Sequence, residues 1–148
     1  MILNVKGGSI MFSLTVNYLA VLTAALASMV VGFVWYSPAL FGKPWMKLNK
    51  LDSKKLKAAQ KDMPKTYGLS FLAALATAYV IALMINLTLV INVSEGLLMG
   101  AVLWLGFVAA TMFTGVLFRE MSWGLFLINS GYQLASILAM SAILTAWI

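Results

Sequence analysis

The sequence predicts an all-α, polytopic membrane protein with four transmembrane helices and a basic amphipathic helix between the first two. Three observations support this fold class: 63% of the 148 residues are hydrophobic, only 9% are charged, and the few charges fall in short segments. Soluble domains carry about 25% charged residues, so too few are present here to cover a water-facing surface. We expect a single membrane domain over residues 1–148.

Four long stretches without a charged side chain lie between these segments. They hold 36, 29, 23 and 28 residues, and a helix that crosses a bilayer core of about 30 Å needs about 20 residues. Because the stretches are continuously apolar rather than alternating, they differ from the strands of a membrane barrel. The predicted helices lie near residues 14–36, 67–90, 96–118 and 123–147.

A basic loop over residues 37–66 joins the first two predicted helices. It contains eight lysines and two aspartates, so the positive-inside rule places it in the cytoplasm, and four crossings then place both termini outside. Five of the lysines are spaced by three or four residues, as on one face of a helix. This pattern favours a basic amphipathic helix that binds anionic lipid headgroups; the alternative is a solvated linker.

The residue types that usually carry chemistry are scarce. The chain has no cysteine and no histidine, which removes disulfides, thiolate chemistry and the commonest metal ligands. The four predicted helices contain no Asp, Glu, Lys or Arg, whereas acid–base catalysis and proton relays need titratable groups at the site. We therefore expect no enzymatic activity, no catalytic residue, no metal site, no cofactor and no nucleic-acid partner.

The end of the first predicted helix is crowded with aromatic residues, prolines and lysines, in the segment GFVWYSPALFGKPWMK. Pro38 should end or kink the helix, and Pro44 suits the first turn of a following helix. One interpretation is anchoring at the membrane interface, where tryptophan, tyrosine and lysine are favoured. The other is a site for a lipid headgroup or another anion. The candidate binding residues are Trp35, Tyr36, Ser37, Lys43, Trp45 and Arg119.

A polar stripe runs along the fourth predicted helix at intervals of three and four residues. Because an amide that faces lipid is costly, this stripe should face the bundle interior or a second subunit. It either forms hydrogen bonds that fix helix packing or makes the polar wall of a pocket or pore. Its members are the further candidate binding residues Asn129, Tyr132, Gln133 and Ser136.

Small residues form lines along the first and third predicted helices, and such lines let helix backbones approach closely. They are Ala24, Ser28 and Gly32 on the first helix, and Gly106, Ala110 and Thr114 on the third. We expect a small module that binds membrane lipid or a protein partner and that forms a homo-oligomer. The alternative is a transporter or pore subunit for a neutral or weakly polar solute, lined by the polar stripe.

The sequence resembles the domain of unknown function 1761 family in four segments, which run from the first helix towards the end of the chain. They are GFVWYSPALFGKPWM (32–46), YGLSFLAAL (67–75), GFVAATMFTGVLF (106–118) and FLINSGYQL (126–134). The resemblance implies a small bacterial or archaeal cell-membrane protein with about four crossings. It implies no activity and no catalytic residues, and it does not extend to the lysines beyond Trp45.

Overall fold

The computed structural model describes residues 2–5, 8–11, 15–51 and 62–147, as five helices preceded by a short hairpin. The helices are α1 (Tyr18–Trp35), α2 (Gly42–Leu48), α3 (Met63–Thr88), α4 (Val93–Leu117) and α5 (Trp123–Ala146). Within α4, a π-helical segment at Trp104–Ala109 separates two α-helical parts. The hairpin pairs β1 (Ile2–Val5) with β2 (Gly8–Met11) in antiparallel register.

The four predicted membrane helices are present. Helices α1, α3, α4 and α5 are long and apolar enough to cross a membrane, and their ends differ from the predicted ends by about one turn at most. The hairpin before them was not predicted from the sequence. Helix α2 lies in the predicted basic loop, but residues 52–61, which hold most of the predicted basic amphipathic helix, lie outside the described residues.

The helices begin at residues whose side chains satisfy free backbone N–H groups. The Asn17 side-chain oxygen accepts hydrogen bonds from the first turn of α1 at 3.1 and 3.2 Å. Asn92 accepts one at the start of α4 at 2.9 Å, and Ser122 accepts one at the start of α5 at 3.3 Å. Helix α3 instead begins with Pro64 in its first turn, where the missing N–H is harmless.

Helix α1 ends where the prolines predicted a break. Its last residue is Trp35, and the chain turns back through hydrogen bonds from Phe41 N to Trp35 O and from Gly42 N to Ser37 O, each of 3.0 Å. Gly42 is buried, and a Cβ atom there would overlap the carbonyl oxygen of Tyr36. Only glycine therefore fits this turn, which directs α2 back onto the bundle, against α5.

Helix α5 is the centre of the bundle, because it contacts α1, α2, α3 and α4. The buried core is formed by α1, α3 and α5 and is rich in alanine, including the fully buried Ala24, Ala25 and Ala78. Small side chains at these positions allow the three helices to pack closely. Helix α4 lies at the side and adds only partly buried residues such as Trp104 to this core.

The two predicted lines of small residues have different surroundings. On α1, Ala24 and Ser28 are buried, and Gly32 faces Tyr132 of α5. On α4, the predicted line is not used within the described chain, because no heavy atom lies within 4 Å of a Cβ built at Gly106. Helix α4 instead packs on α5 through Gly96 and Gly100, which contact threonine and serine side chains.

Candidate functional site

Three tryptophans from three different helical segments donate hydrogen bonds to three consecutive residues of α5. Trp35, at the end of α1, donates from Nε1 to the carbonyl oxygen of Ile128 at 3.0 Å. Trp104, at the start of the π-helical segment of α4, donates to the carbonyl oxygen of Ser130 at 2.8 Å. The third tryptophan, Trp45 of α2, donates to the side chain of Asn129. Hydrogen bonds from α1, α2 and α4 therefore converge on residues 128–130 of α5.

Asn129 is the meeting point of this network. Its Oδ1 atom accepts a hydrogen bond from Trp45 Nε1 at 3.2 Å and a second from the Tyr36 hydroxyl at 3.1 Å. Both donors are distant from Asn129 in sequence: Tyr36 lies in the turn after α1, and Trp45 lies in α2. The predicted polar stripe and the aromatic segment therefore form one site.

Close ring packing surrounds these hydrogen bonds. The ring of Tyr36 lies 5.5 Å from that of Trp45 and 5.2 Å from that of Tyr132, measured between centroids. Such distances suit favourable tilted aromatic pairs. The indole of Trp35 lies against the backbone of α5 at Gly131, where a Cβ atom would come within 3.0 Å of its ring.

An open cleft of about 750 Å³ is lined by residues of all five helices, including Trp45, Asn129 and Tyr132, and by Tyr36. This volume lies within the usual range for small-molecule sites, about 300–1,000 Å³. Its lining includes four methionines, Met29, Met46, Met63 and Met112. Methionine side chains are flexible and polarisable, and they adapt to ligands of different shapes.

The polar groups that line the cleft are all neutral among the residues that the structure describes. Asn129, Tyr132 and Gln133 line one wall, and Thr66 and Ser70 of α3 line another. Among the described residues, no charged side chain lines the cleft, and no group of three or more acidic, histidine or cysteine side chains suits a metal ion. The described lining therefore offers hydrogen bonds but no charged side chain.

The structure brings only some of the predicted site residues together. Tyr36, Trp45, Asn129, Tyr132 and Gln133 line the cleft. Trp35 lies beside it, bonded to Ile128.

The remaining predicted residues do not line the cleft. Ser37 acts through its backbone carbonyl in the turn before α2. Lys43 and Arg119 are exposed and are not part of the lining. Ser136 is 2% exposed, and its hydroxyl has no hydrogen-bond partner among the described residues.

Sequence reasoning missed Trp104 and the methionines. Trp104 lies near the middle of a predicted membrane helix, where its N–H group needs a partner that lipid does not provide. That requirement was the available signal for a contact with another helix. No comparable signal marks the four methionines, because an apolar side chain in a membrane helix is equally suited to lipid.

A second, smaller cavity lies towards the other end of α5. It measures about 260 Å³ and is lined by Leu144 and Trp147, together with residues of α1, α3 and the segment before α1. Between the two cavities, Ser136 and Met140 of α5 are each only 2% exposed. The two cavities are therefore separated by closely packed side chains.

Comparison with known proteins agrees with the resemblance found in the sequence. Neither the curated proteins nor the solved structures gave a significant match. The family described as Protein of unknown function (DUF1761) matches residues 19–145, which extend from the first turn of α1 to the last turn of α5. The chain therefore belongs to this family.

Proposed function

We propose that the chain is a membrane module that binds a neutral amphipathic molecule, such as a membrane lipid, in the cleft between its five helices. The observation that carries this proposal is the composition of the cleft, in which methionines and aromatic rings surround a small set of uncharged polar groups. Ligand sites typically have this combination of a broad apolar surface and a few polar groups that fix orientation.

The depth of the cleft supports an amphipathic ligand. Asn129 lies six residues after Trp123, the first residue of α5, or about 9 Å along the helix axis at 1.5 Å per residue. The polar wall is therefore one or two turns inside the helix end, where headgroups give way to hydrocarbon. With the basic loop in the cytoplasm, as we propose from the positive-inside rule, this is the cytoplasmic half of the membrane.

The test is native mass spectrometry of the purified protein, extracted in a mild detergent. We expect the wild-type chain to retain a lipid-sized molecule. Ser70→Trp should weaken this retention, because Ser70 lines the cleft and the indole would occupy part of its volume. Leu72→Trp is the matched control, since Leu72 is 60% exposed and does not line the cleft.

Two outcomes contradict the proposal. A wild-type protein without a bound molecule would indicate that the cleft has no resident ligand. Equal retention by Ser70→Trp and Leu72→Trp would place the bound molecule elsewhere on the protein. The same spectra report the oligomeric state, for which we propose a homo-oligomer because α4 leaves its line of small residues around Gly106 uncovered.

A transporter for a neutral or weakly polar solute is the second candidate function. The observation that favours it is the presence of cavities towards both ends of α5, with Ser136 and Met140 buried between them. This arrangement suits a path that is closed in the middle. If the double variant Asn129→Leu/Gln133→Leu folds and loses solute flux into liposomes, the transporter is supported; flux equal to wild type contradicts it.

A further inference from the structure

We propose that Asn129 selects ligands that present a hydrogen-bond acceptor of the carbonyl type. This inference rests on the proposed function, because it concerns the ligand of the same cleft. It goes further in assigning the chemistry of the ligand's polar end and the residue that recognises it.

The orientation of the Asn129 amide follows from its partners. The oxygen and nitrogen of an amide side chain are assigned from the hydrogen bonds around them. An indole N–H group can only donate, so the Asn129 atom that faces Trp45 Nε1 at 3.2 Å is the oxygen. The Tyr36 hydroxyl donates to the same oxygen at 3.1 Å. Two donors therefore occupy the acceptor side of the amide.

The donor side of the amide remains for a ligand. Within the part of the chain that the structure describes, no acceptor is bonded to Asn129 Nδ2, and Asn129 lines the cleft. An amide nitrogen carries two N–H donors and has no acceptor capacity. A ligand that displaces water from this donor and offers no acceptor in return binds less favourably. Asn129, whose side chain is fixed by two hydrogen bonds, therefore presents N–H donors to the cleft.

A carbonyl oxygen meets this donor better than the other common polar groups of neutral amphipaths. A carbonyl accepts hydrogen bonds and brings no N–H or O–H group of its own. A hydroxyl also brings a donor of its own, which the Asn129 oxygen, already bonded to Tyr36 and Trp45, does not accept; that donor would need a second acceptor of the lining, such as Gln133. An anionic group finds no lysine or arginine among the described residues of the lining.

Carbonyl oxygens on apolar chains come from two sources in a membrane. One is the ester group of a glycerolipid, and the other is a free lipophilic ketone or quinone. Both present the same acceptor to Asn129, so the structure supports the shared chemistry. The sources are distinguished by the choice of probes.

The test compares matched probes on the wild-type protein by native mass spectrometry from detergent micelles. The first pair is 2-tridecanone and tridecane, which differ by one carbonyl oxygen. We expect the ketone to bind roughly threefold to tenfold more tightly, as one net hydrogen bond provides. The second pair is a diacylglycerol and its diether analogue, and a decyl-substituted benzoquinone is the third probe. Preference for the diester indicates a glycerolipid, whereas binding of only the ketone and quinone indicates a free carbonyl compound.

The variant Asn129→Asp assigns the preference to Asn129. A carboxylate accepts the same hydrogen bonds from Tyr36 and Trp45, so the fold is retained, as tryptophan emission will show. It has no N–H group to donate to the ketone. We expect the ratio of ketone to alkane affinity to fall to about one or below. Asn92→Asp is the matched control, because Asn92 caps α4 and does not line the cleft; it should keep a clear preference for the ketone.

The outcomes separate this inference from the proposed function. If neither the ketone nor the alkane binds the wild-type protein, the proposed function fails and this inference with it. If both bind equally, the cleft binds amphipaths but the inference is overturned. If the ketone is preferred and Asn129→Asp keeps that preference, the role of Asn129 is overturned. Should Asn129→Asp fail to fold, the wild-type comparison still decides whether the ligand class is correct.

Discussion

Replacing Asn129 with leucine should weaken the junction between the α1–α2 turn and α5. The substitution keeps a side chain of similar size but removes the oxygen that accepts hydrogen bonds from Tyr36 and Trp45. Side-chain hydrogen bonds in membrane proteins contribute about 0.6 kcal/mol on average and about 1.7 kcal/mol at most. The loss of two such bonds lowers the free energy of unfolding by about 1–3 kcal/mol.

The assay is reversible unfolding in mixed micelles with increasing SDS, followed by tryptophan fluorescence. The variant Tyr36→Phe should show about half the loss of Asn129→Leu, because it removes one of the two hydrogen bonds and leaves Trp45 bonded to Asn129. The control is Gln133→Leu, since Gln133 is exposed and has no hydrogen bond among the described residues. Surface substitutions usually change the free energy of unfolding by less than about 0.5 kcal/mol. If the unfolding free energies of Asn129→Leu and Gln133→Leu differ by less than this, Asn129 does not stabilise the junction.

Two further predictions concern glycines that lie where helices or turns approach closely. Gly42→Ala places a methyl group against a backbone carbonyl, so the free energy of unfolding should fall by about 1–3 kcal/mol. The fluorescence emission of Trp45 should also shift, because α2 moves. The control Gly68→Ala, with open space around it, should show neither effect. Gly100→Ala places a methyl group 2.5 Å from a serine hydroxyl oxygen of α5. The free energy of unfolding, measured by thermal denaturation in detergent, should fall by about 1–3 kcal/mol here as well. The control Gly106→Ala, in open space on the same helix, should leave the stability unchanged or raise it. Equal losses of stability from Gly100→Ala and Gly106→Ala would contradict the packing of α4 on α5.

The membrane helices could be predicted because their signal is local. Each uncharged stretch is long enough for one crossing, and the charges between them mark the connections. The break after α1 was also predictable, since Pro38 restricts the residue before it and Pro44 suits a first turn. In each case the physical cause acts on the residue itself or on its nearest neighbours in the chain.

The site could be predicted only in pieces, because its contacts join distant residues. The sequence singled out Tyr36, Trp45 and Asn129 separately, but nothing local indicated that two donors share one oxygen across more than 80 residues. The predicted line of small residues on α4 is exposed instead of packed on α5 for a separate reason. A π-helical turn holds more residues than an α-helical turn, so the segment at Trp104–Ala109 changes which residues face α5 and disrupts a line drawn at α-helical spacing.

The three tryptophan hydrogen bonds to α5 also have a consequence for the order of assembly. Trp35, Trp45 and Trp104 all precede Ile128 in the chain, and synthesis proceeds from the N-terminus. In a chain inserted as we propose, each of these indoles is made before its acceptor, and we expect water or a lipid headgroup to be its temporary partner. The addition of α5 then supplies the acceptors of all three indoles and completes the polar wall of the cleft. We therefore expect a chain that stops short of α5 to carry these three tryptophan donors but not the proposed binding site.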